Sequence, residues 1–132
     1  MAWTPRPAEI TALLSQPGPA RYQYFLAKAA DQETIWSLWQ EEGWALAGDD
    51  QGRQLVPVWP HEKYAQACNA RAWAGYEPKA IEMDAWLARW IPGMTRDGRL
   101  VAVFPTPNDR GVVVEPTQLE ADLRAKLAEF DE

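Results

Sequence analysis

The side chains best equipped for chemistry are few: one histidine, His61, one cysteine, Cys68, and two serines, Ser15 and Ser37. His61 alone has an ordinary pKa near neutrality. It falls in the first turn of a predicted helix, where the dipole disfavours its protonated form. A neutral His61 could serve as a general base beside a carboxylate such as Glu77. The competing role is a bond to the free backbone groups of the helix end. Cys68 lies seven residues on, about 10 Å along a helix axis, so the two cannot share a metal ion directly. Two such ligands also fall short of a structural zinc set. Cys68 follows Tyr64 by one turn on the predicted buried face, where a thiol behaves as a small apolar group.

The serines stand in no nucleophile-elbow sequence. The turn Asp49-Asp50-Gln51-Gly52 lacks the alternating oxygens and closing Glu of a calcium loop. No glycine-rich phosphate or dinucleotide motif occurs. The expectation is therefore no metal, no cofactor and no catalytic set.

Tryptophan is the exception to this sparseness, with eight in 132 residues. Each indole brings about 200 Å² of surface and an N–H that wants a partner. Trp36, Trp44, Trp86 and Trp90 are assigned to the core. Trp59 and Trp73 flank a helix and Trp39 abuts a turn, so partial exposure is expected of these three. The segment from Trp59 to Tyr76 holds Trp, Tyr and Arg, the types that dominate binding hot spots, around one helix and its loops. Tyr64 belongs to the core. Trp59, His61, Arg71, Trp73, Tyr76 and Glu77 become the candidate binding residues.

The elements that must position them follow from periodicity and punctuation. A helix starting at Pro7, with Ile10, Leu13 and Leu14 at helical spacing and an end before Pro17-Gly18-Pro19, and another from Pro19, with Tyr22, Phe25, Leu26 and Ala29 on one stripe, open the chain. Strands are expected over 34–39, 44–47 and 53–59, with Pro57 marking an edge or a bulge. A helix over 60–70 and a strand over 79–83 follow. Asp84 should cap a helix bearing Trp86, Leu87, Trp90 and Ile91, with Pro92-Gly93 stopping it. Strands over 99–104 and 112–114 precede a last helix with a Thr117–Glu120 capping box and a Leu119, Leu123, Leu127, Phe130 stripe. Strands in hairpins beside helices give an α+β fold, a mostly antiparallel sheet of five to six short strands with helices packed on it. Residues 1–18 read as a helical extension and 19–132 as a single domain.

Composition narrows the partners. With 13 basic and 19 acidic residues the net charge is −6, unsuited to nucleic acid or an anionic membrane surface. Residues 31–50 hold six acids and no base. No apolar run reaches the ~20 residues of a membrane helix, and no secretory signal is recognisable. One cysteine fits a reducing compartment.

The order Glu41-Glu42-Gly43-Trp44-Ala45-Leu46, Asp50 and Gly52, Val56-Pro57-Val58-Trp59-Pro60-His61, then Gly75-Tyr76-Glu77-Pro78 resembles an uncharacterised bacterial family, domain of unknown function 2750. Trp90-Ile91-Pro92-Gly93, Val103-Phe104-Pro105 and Val114-Glu115-Pro116 are similar to its second half. The resemblance covers about residues 20 to 130. It implies a small cytoplasmic bacterial protein with an α+β fold, and supplies no catalytic residues. The functional expectation is a non-enzymatic protein-interaction or adaptor domain. The alternatives are a small-ligand module with Trp44, Trp59, His61 and Tyr76 around a pocket, or an enzyme using His61. Open sheet edges would let a second copy pair as a homodimer.

Overall fold

A computed structural model describes residues 3–41, 43–48, 51–68 and 73–130. Helix α1 (Pro7–Leu14) and helix α2 (Gly18–Gln32) each begin with a proline in the first turn, as the sequence suggests. Strand β1 (Thr34–Gln40), β2 (Gly43–Trp44), β3 (Ala47–Gly48) and β4 (Gln54–Val58) follow. Helix α3 (Glu62–Ala67) leads to β5 (Glu77–Glu82). A continuous helical stretch then comprises α4 (Met83–Ala85), a π-helical segment (Trp86–Trp90) and α5 (Ile91–Asp97). Strands β6 (Leu100–Val103) and β7 (Val112–Val114) and helix α6 (Pro116–Phe130) complete the chain.

The class is α+β, but the sheet differs from expectation. Among the described residues seven strands form two sheets, an antiparallel β2-β1-β5 and a mixed β3-β4-β6-β7 in which β4 and β6 run parallel. The expected strand over 44–47 is divided between them, Trp44 pairing with β1 and Ala47 with β4. Trp36 and Trp59 exchange both backbone hydrogen bonds, at 2.9 and 2.8 Å, and so join the two sheets.

Pro57 lies in an inner strand, not at an edge. Val58 O accepts from Phe104 N and Trp59 faces Trp36, so strand alternation turns the Pro57 nitrogen toward β1. There β3 has already ended, and the Pro57 carbonyl takes the Ser37 hydroxyl at 2.7 Å. The missing donor costs no ladder bond.

Helices α2 and α6 pack on each other and on β6, while α3 covers the three-stranded sheet. Tyr22, Phe25, Leu26 and Ala29 are buried, as are Leu119 and Leu123 of α6. Phe130 is 53% exposed, so the α6 stripe ends earlier than its sequence suggests. The Thr117–Glu120 capping box does not form. The helix starts two residues sooner, at Pro116, with Gln118 and Leu119 donating to the Glu115 carbonyl, and Glu120 pairs with Arg124 at 2.9 Å. Asp84 likewise sits inside the helix, whose N-cap is Glu82. Cys68 is buried, and burial pushes its thiol up to about 12.

Among the described residues one buried charged side chain breaks the apolar pattern. Arg21 is 1% exposed. Its Nε donates to Phe104 O at 3.0 Å, Nη1 donates to Gln16 O, and Nη2 meets Asp109 Oδ1 at 2.5 Å. Removing one partner of a buried pair leaves an uncompensated charge. Asp109→Ala is therefore expected to lower unfolding free energy by about 3 kcal/mol, the two carbonyl bonds softening the loss. Urea denaturation of the two proteins measures it, and an unchanged midpoint would assign the pair no structural weight.

Candidate functional site

Of the six residues singled out by sequence, the five that are described do not meet in one place. Trp59 is fully buried, its Nε1 donating to Pro105 O at 2.9 Å. Trp73 is 8% exposed, crosses Trp59 edge-on at 6.0 Å and donates to Leu46 O at 3.4 Å. The expected exposure of these two is not found: each indole completes the core and spends its N–H on a carbonyl. Tyr76 is half-buried against that core. Arg71 lies outside the described residues.

His61 is the N-cap of α3, its Nδ1 accepting from Lys63 N at 3.0 Å. The ring lies between Trp3, at 5.3 Å, and Trp36, at 6.2 Å. Burial lowers its pKa from the usual 6.5, with Lys63 acting the same way and Glu62 and a bond to the Trp3 backbone opposing. With Nδ1 occupied, the neutral ring carries its proton on Nε2. No lone pair is left over for a general base.

Glu77 is exposed and lies away from His61. It stands opposite Trp39 across the β1–β5 ladder, so the two share a face, whereas Trp36, which touches His61, points to the other face. Beside Tyr64, Tyr24 donates to Glu9 and its hydroxyl meets that of Tyr64 at 2.8 Å. Burial pushes the Tyr64 phenol up to about 12 and raises Tyr24 as well, so both stay neutral.

What the structure does assemble is a row of indoles. Trp39 and Trp44 are paired across β1 and β2, with ring centroids 5.1 Å apart. Trp44 meets Trp90 edge-on at 4.7 Å, and Trp90 stacks on Trp86 at 5.5 Å. Trp86 is fully buried, and its Nε1 has no partner among the described residues, which costs about 1–3 kcal/mol. Trp86 through Trp90 form the π-helical segment, a local irregularity that recurs at functional sites.

Two clefts flank the row. One, of about 420 Å³, lies between β2 and the helix and is lined by Trp44, Val56, Trp90, Met94, Arg89 and Arg99, among others. Its size suits a small ligand. Arg99 is engaged, donating to Gln54 at 2.9 Å and facing Asp97 at 3.8 Å. Arg89 is exposed and makes no ion pair or hydrogen bond with the described residues. The other cleft, also about 420 Å³, is lined by Trp39, Gln40, Glu41, Gly75 and Glu77. Lys79 holds its ammonium 4.3 Å from the Trp39 ring and 5.8 Å from Trp44, worth about 0.5–1 kcal/mol at so exposed a position.

Trp44 is the one member of the expected aromatic pocket that lines the cleft beside β2. Arg89 escaped the sequence reading, and Trp90 was read there as a core residue only, because the π turn that presents them is not written in apolar periodicity. The one signal was Pro92 placed directly after a tryptophan stripe.

The chain matches the model of a family described as Protein of unknown function (DUF2750) over residues 22–123. It belongs to that family. The match confirms the resemblance borne by the 41–61, 75–78 and 90–116 segments and leaves α1 and the start of α2 before its first matched position. No curated protein and no solved structure matches the chain. Nothing in the family's description assigns a role to the indole row.

Two expected outcomes follow from these placements. Trp73→Ala should cost about 3 kcal/mol or more of stability, as large-to-small core changes do, measured by denaturation. A stability change near zero would return Trp73 to the surface. The folded protein also holds fewer protons at His61 than the unfolded chain, so this stabilisation is whole above pH 6.5 and is lost as pH falls toward the lower folded value. His61→Asn keeps a capping oxygen without the titration. Between pH 7.5 and 5 it should lose less stability than the parent; equal losses would remove His61 from the pH response.

Proposed function

We propose that this protein is a small binding module of the bacterial cytoplasm that holds a ligand with a flat face and an anionic group in the cleft between β2 and the π-helical segment. The observation that carries the reading is Arg89. It is exposed and free of polar partners among the described residues. It also stands one residue before Trp90, whose ring forms the cleft wall with Trp44 at 4.7 Å. A guanidinium left without a carboxylate beside an aromatic wall is suited to a planar acid, which it can bind by two parallel hydrogen bonds.

The adaptor reading favoured by composition has less support. It asks for tryptophan on an open surface, whereas the large apolar residues exposed among those described are Val113 and Phe130. An enzymatic reading built on His61 meets the cap that consumes its Nδ1 lone pair. The domain division also belongs to this proposal: residues 19–132 make up the module and 1–18 a helical extension, a reading supported by the Tyr24 hydroxyl donating to Glu9 of α1.

The test is a titration followed through the indole N–H resonances. Phenylacetate should move Trp44 and Trp90 signals and saturate. Phenylacetamide, which loses a charge-assisted bond worth about 1.5–3 kcal/mol, should bind at least tenfold more weakly. Arg89→Gln should erase the difference. Acid and amide binding alike, or neither binding, would overturn the proposal.

A further inference from the structure

We infer that the aromatic slot between α2 and α3 is a receptor for a peptide segment carrying a tryptophan followed two residues on by a proline. The chain's own Trp3-Thr4-Pro5 fills it as a tethered ligand. This site shares no residue with the cleft beside β2 and does not depend on it.

Both the ring and the main chain of Trp3 are met. Tyr24, Lys28 and Gln32 recur every four residues and so stand in a row along one face of α2. Lys28 holds its ammonium 4.9 Å from the centre of the Trp3 ring. Tyr24 stands edge-on to that ring at 6.2 Å and His61 at 5.3 Å, while Tyr64 lies tilted beside it at 6.5 Å. Gln32 Oε1 accepts from Trp3 N at 3.4 Å. The His61 ring bonds the Trp3 backbone. With Nδ1 taken by Lys63 N, the nitrogen left is Nε2, which donates to the Trp3 carbonyl. Pro5 is buried two residues on.

The arm is held as a bound peptide is held. Residues 3–6 lie in no helix or strand, and residues 3–5 make no bond to another backbone group among the described residues. Helix α1 behind them has no buried residue. Side chains of the domain supply both main-chain bonds. The family match begins at residue 22, so Tyr24, Lys28, Gln32, His61 and Tyr64 fall inside it and Trp3 to Pro5 outside it. The slot therefore belongs to the shared domain and its occupant to the extension. The set of groups selects tryptophan, because indole offers a cation its best aromatic face. A short tether presents Trp3 at an effective concentration on the order of millimolar, so an outside segment enters only by displacing the arm.

The full chain carrying Trp3→Ala tests this, titrated by calorimetry with acetyl-Ala-Trp-Thr-Pro-amide. The variant should bind this peptide at least tenfold more tightly than the parent does, and at least tenfold more tightly than it binds acetyl-Ala-Leu-Thr-Pro-amide. Adding Lys28→Gln should weaken the tryptophan peptide severalfold and leave the leucine peptide unchanged. No binding to the folded variant, equal binding of the two peptides, or equal binding by parent and variant would overturn the proposal. Should Trp3→Ala fail to fold, the parent decides. Peptide at about ten times the effective concentration of the tether should then displace the arm and move the Trp3 indole N–H resonance; a resonance that stays in place overturns the proposal.

Discussion

A guanidinium with almost no access to water fixes the geometry on which the rest depends. Arg21 in the first turn of α2 gathers Gln16 O from the α1–α2 junction, Phe104 O from the end of β6 and Asp109 from the β6–β7 loop. Asp109 Oδ1 also accepts from Gly111 N at 2.6 Å. The backbone is drawn in tightly there. Phe104 takes φ of 55°, and a Cβ at Gly111 would stand 2.2 Å from Val103 O. A charge so placed costs several kcal/mol to desolvate, and only a full set of acceptors offsets that. Its worth is in geometry: it ties the α1–α2 junction to acceptors 83 and 88 residues further along the chain.

From that point order passes to the site through tryptophan. Pro105 follows Phe104, and its carbonyl receives the Trp59 indole. Trp59 in turn bonds Trp36 through both backbone groups, which sets β1 against β4 and joins the sheets. Along β1, three residues beyond Trp36, Trp39 begins the indole row. The eight tryptophans thus divide by task. Trp59 and Trp73 fill the core with their N–H groups satisfied, Trp3 and Trp36 enclose His61, and Trp39, Trp44, Trp86 and Trp90 build the row.

Helices, hairpins and most core positions were legible because each is signalled locally. Pro7 and Pro19 start helices, and Tyr22, Phe25, Leu26 and Ala29 recur at helical spacing whatever lies opposite. The buried Arg21 had no such signal, since its acceptors lie in segments up to 88 residues away. Trp59 and Trp73 were read as loop aromatics, yet what buries them comes from the partner strands and from the Leu46 and Pro105 carbonyls. The parallel β4–β6 pair did leave a trace. Leu55 to Val58 and Val101 to Val103 are unbroken buried runs, the mark of strands covered on both faces rather than of half-exposed hairpins. The candidate site was the least legible part, because its decisive residues converge from a two-residue strand and an irregular helix.

That irregularity explains why the cleft exists at all. Pro92 has no N–H and its ring crowds the carbonyl four residues back, so a regular helix through it is strained. The chain continues to Asp97 nevertheless, because the turn before the proline widens. Ile91 N reaches back five residues to Trp86 O, and α5 restarts with Pro92 in its first turn, where no donor is needed. The extra residue in that turn separates the fates of two indoles on one helix. Trp86 remains in the core with its N–H lacking an acceptor among the described residues, whereas Trp90 turns outward to meet Trp44. The proline read from sequence as a helix stop instead sets the angle at which Trp90 and Arg89 face β2.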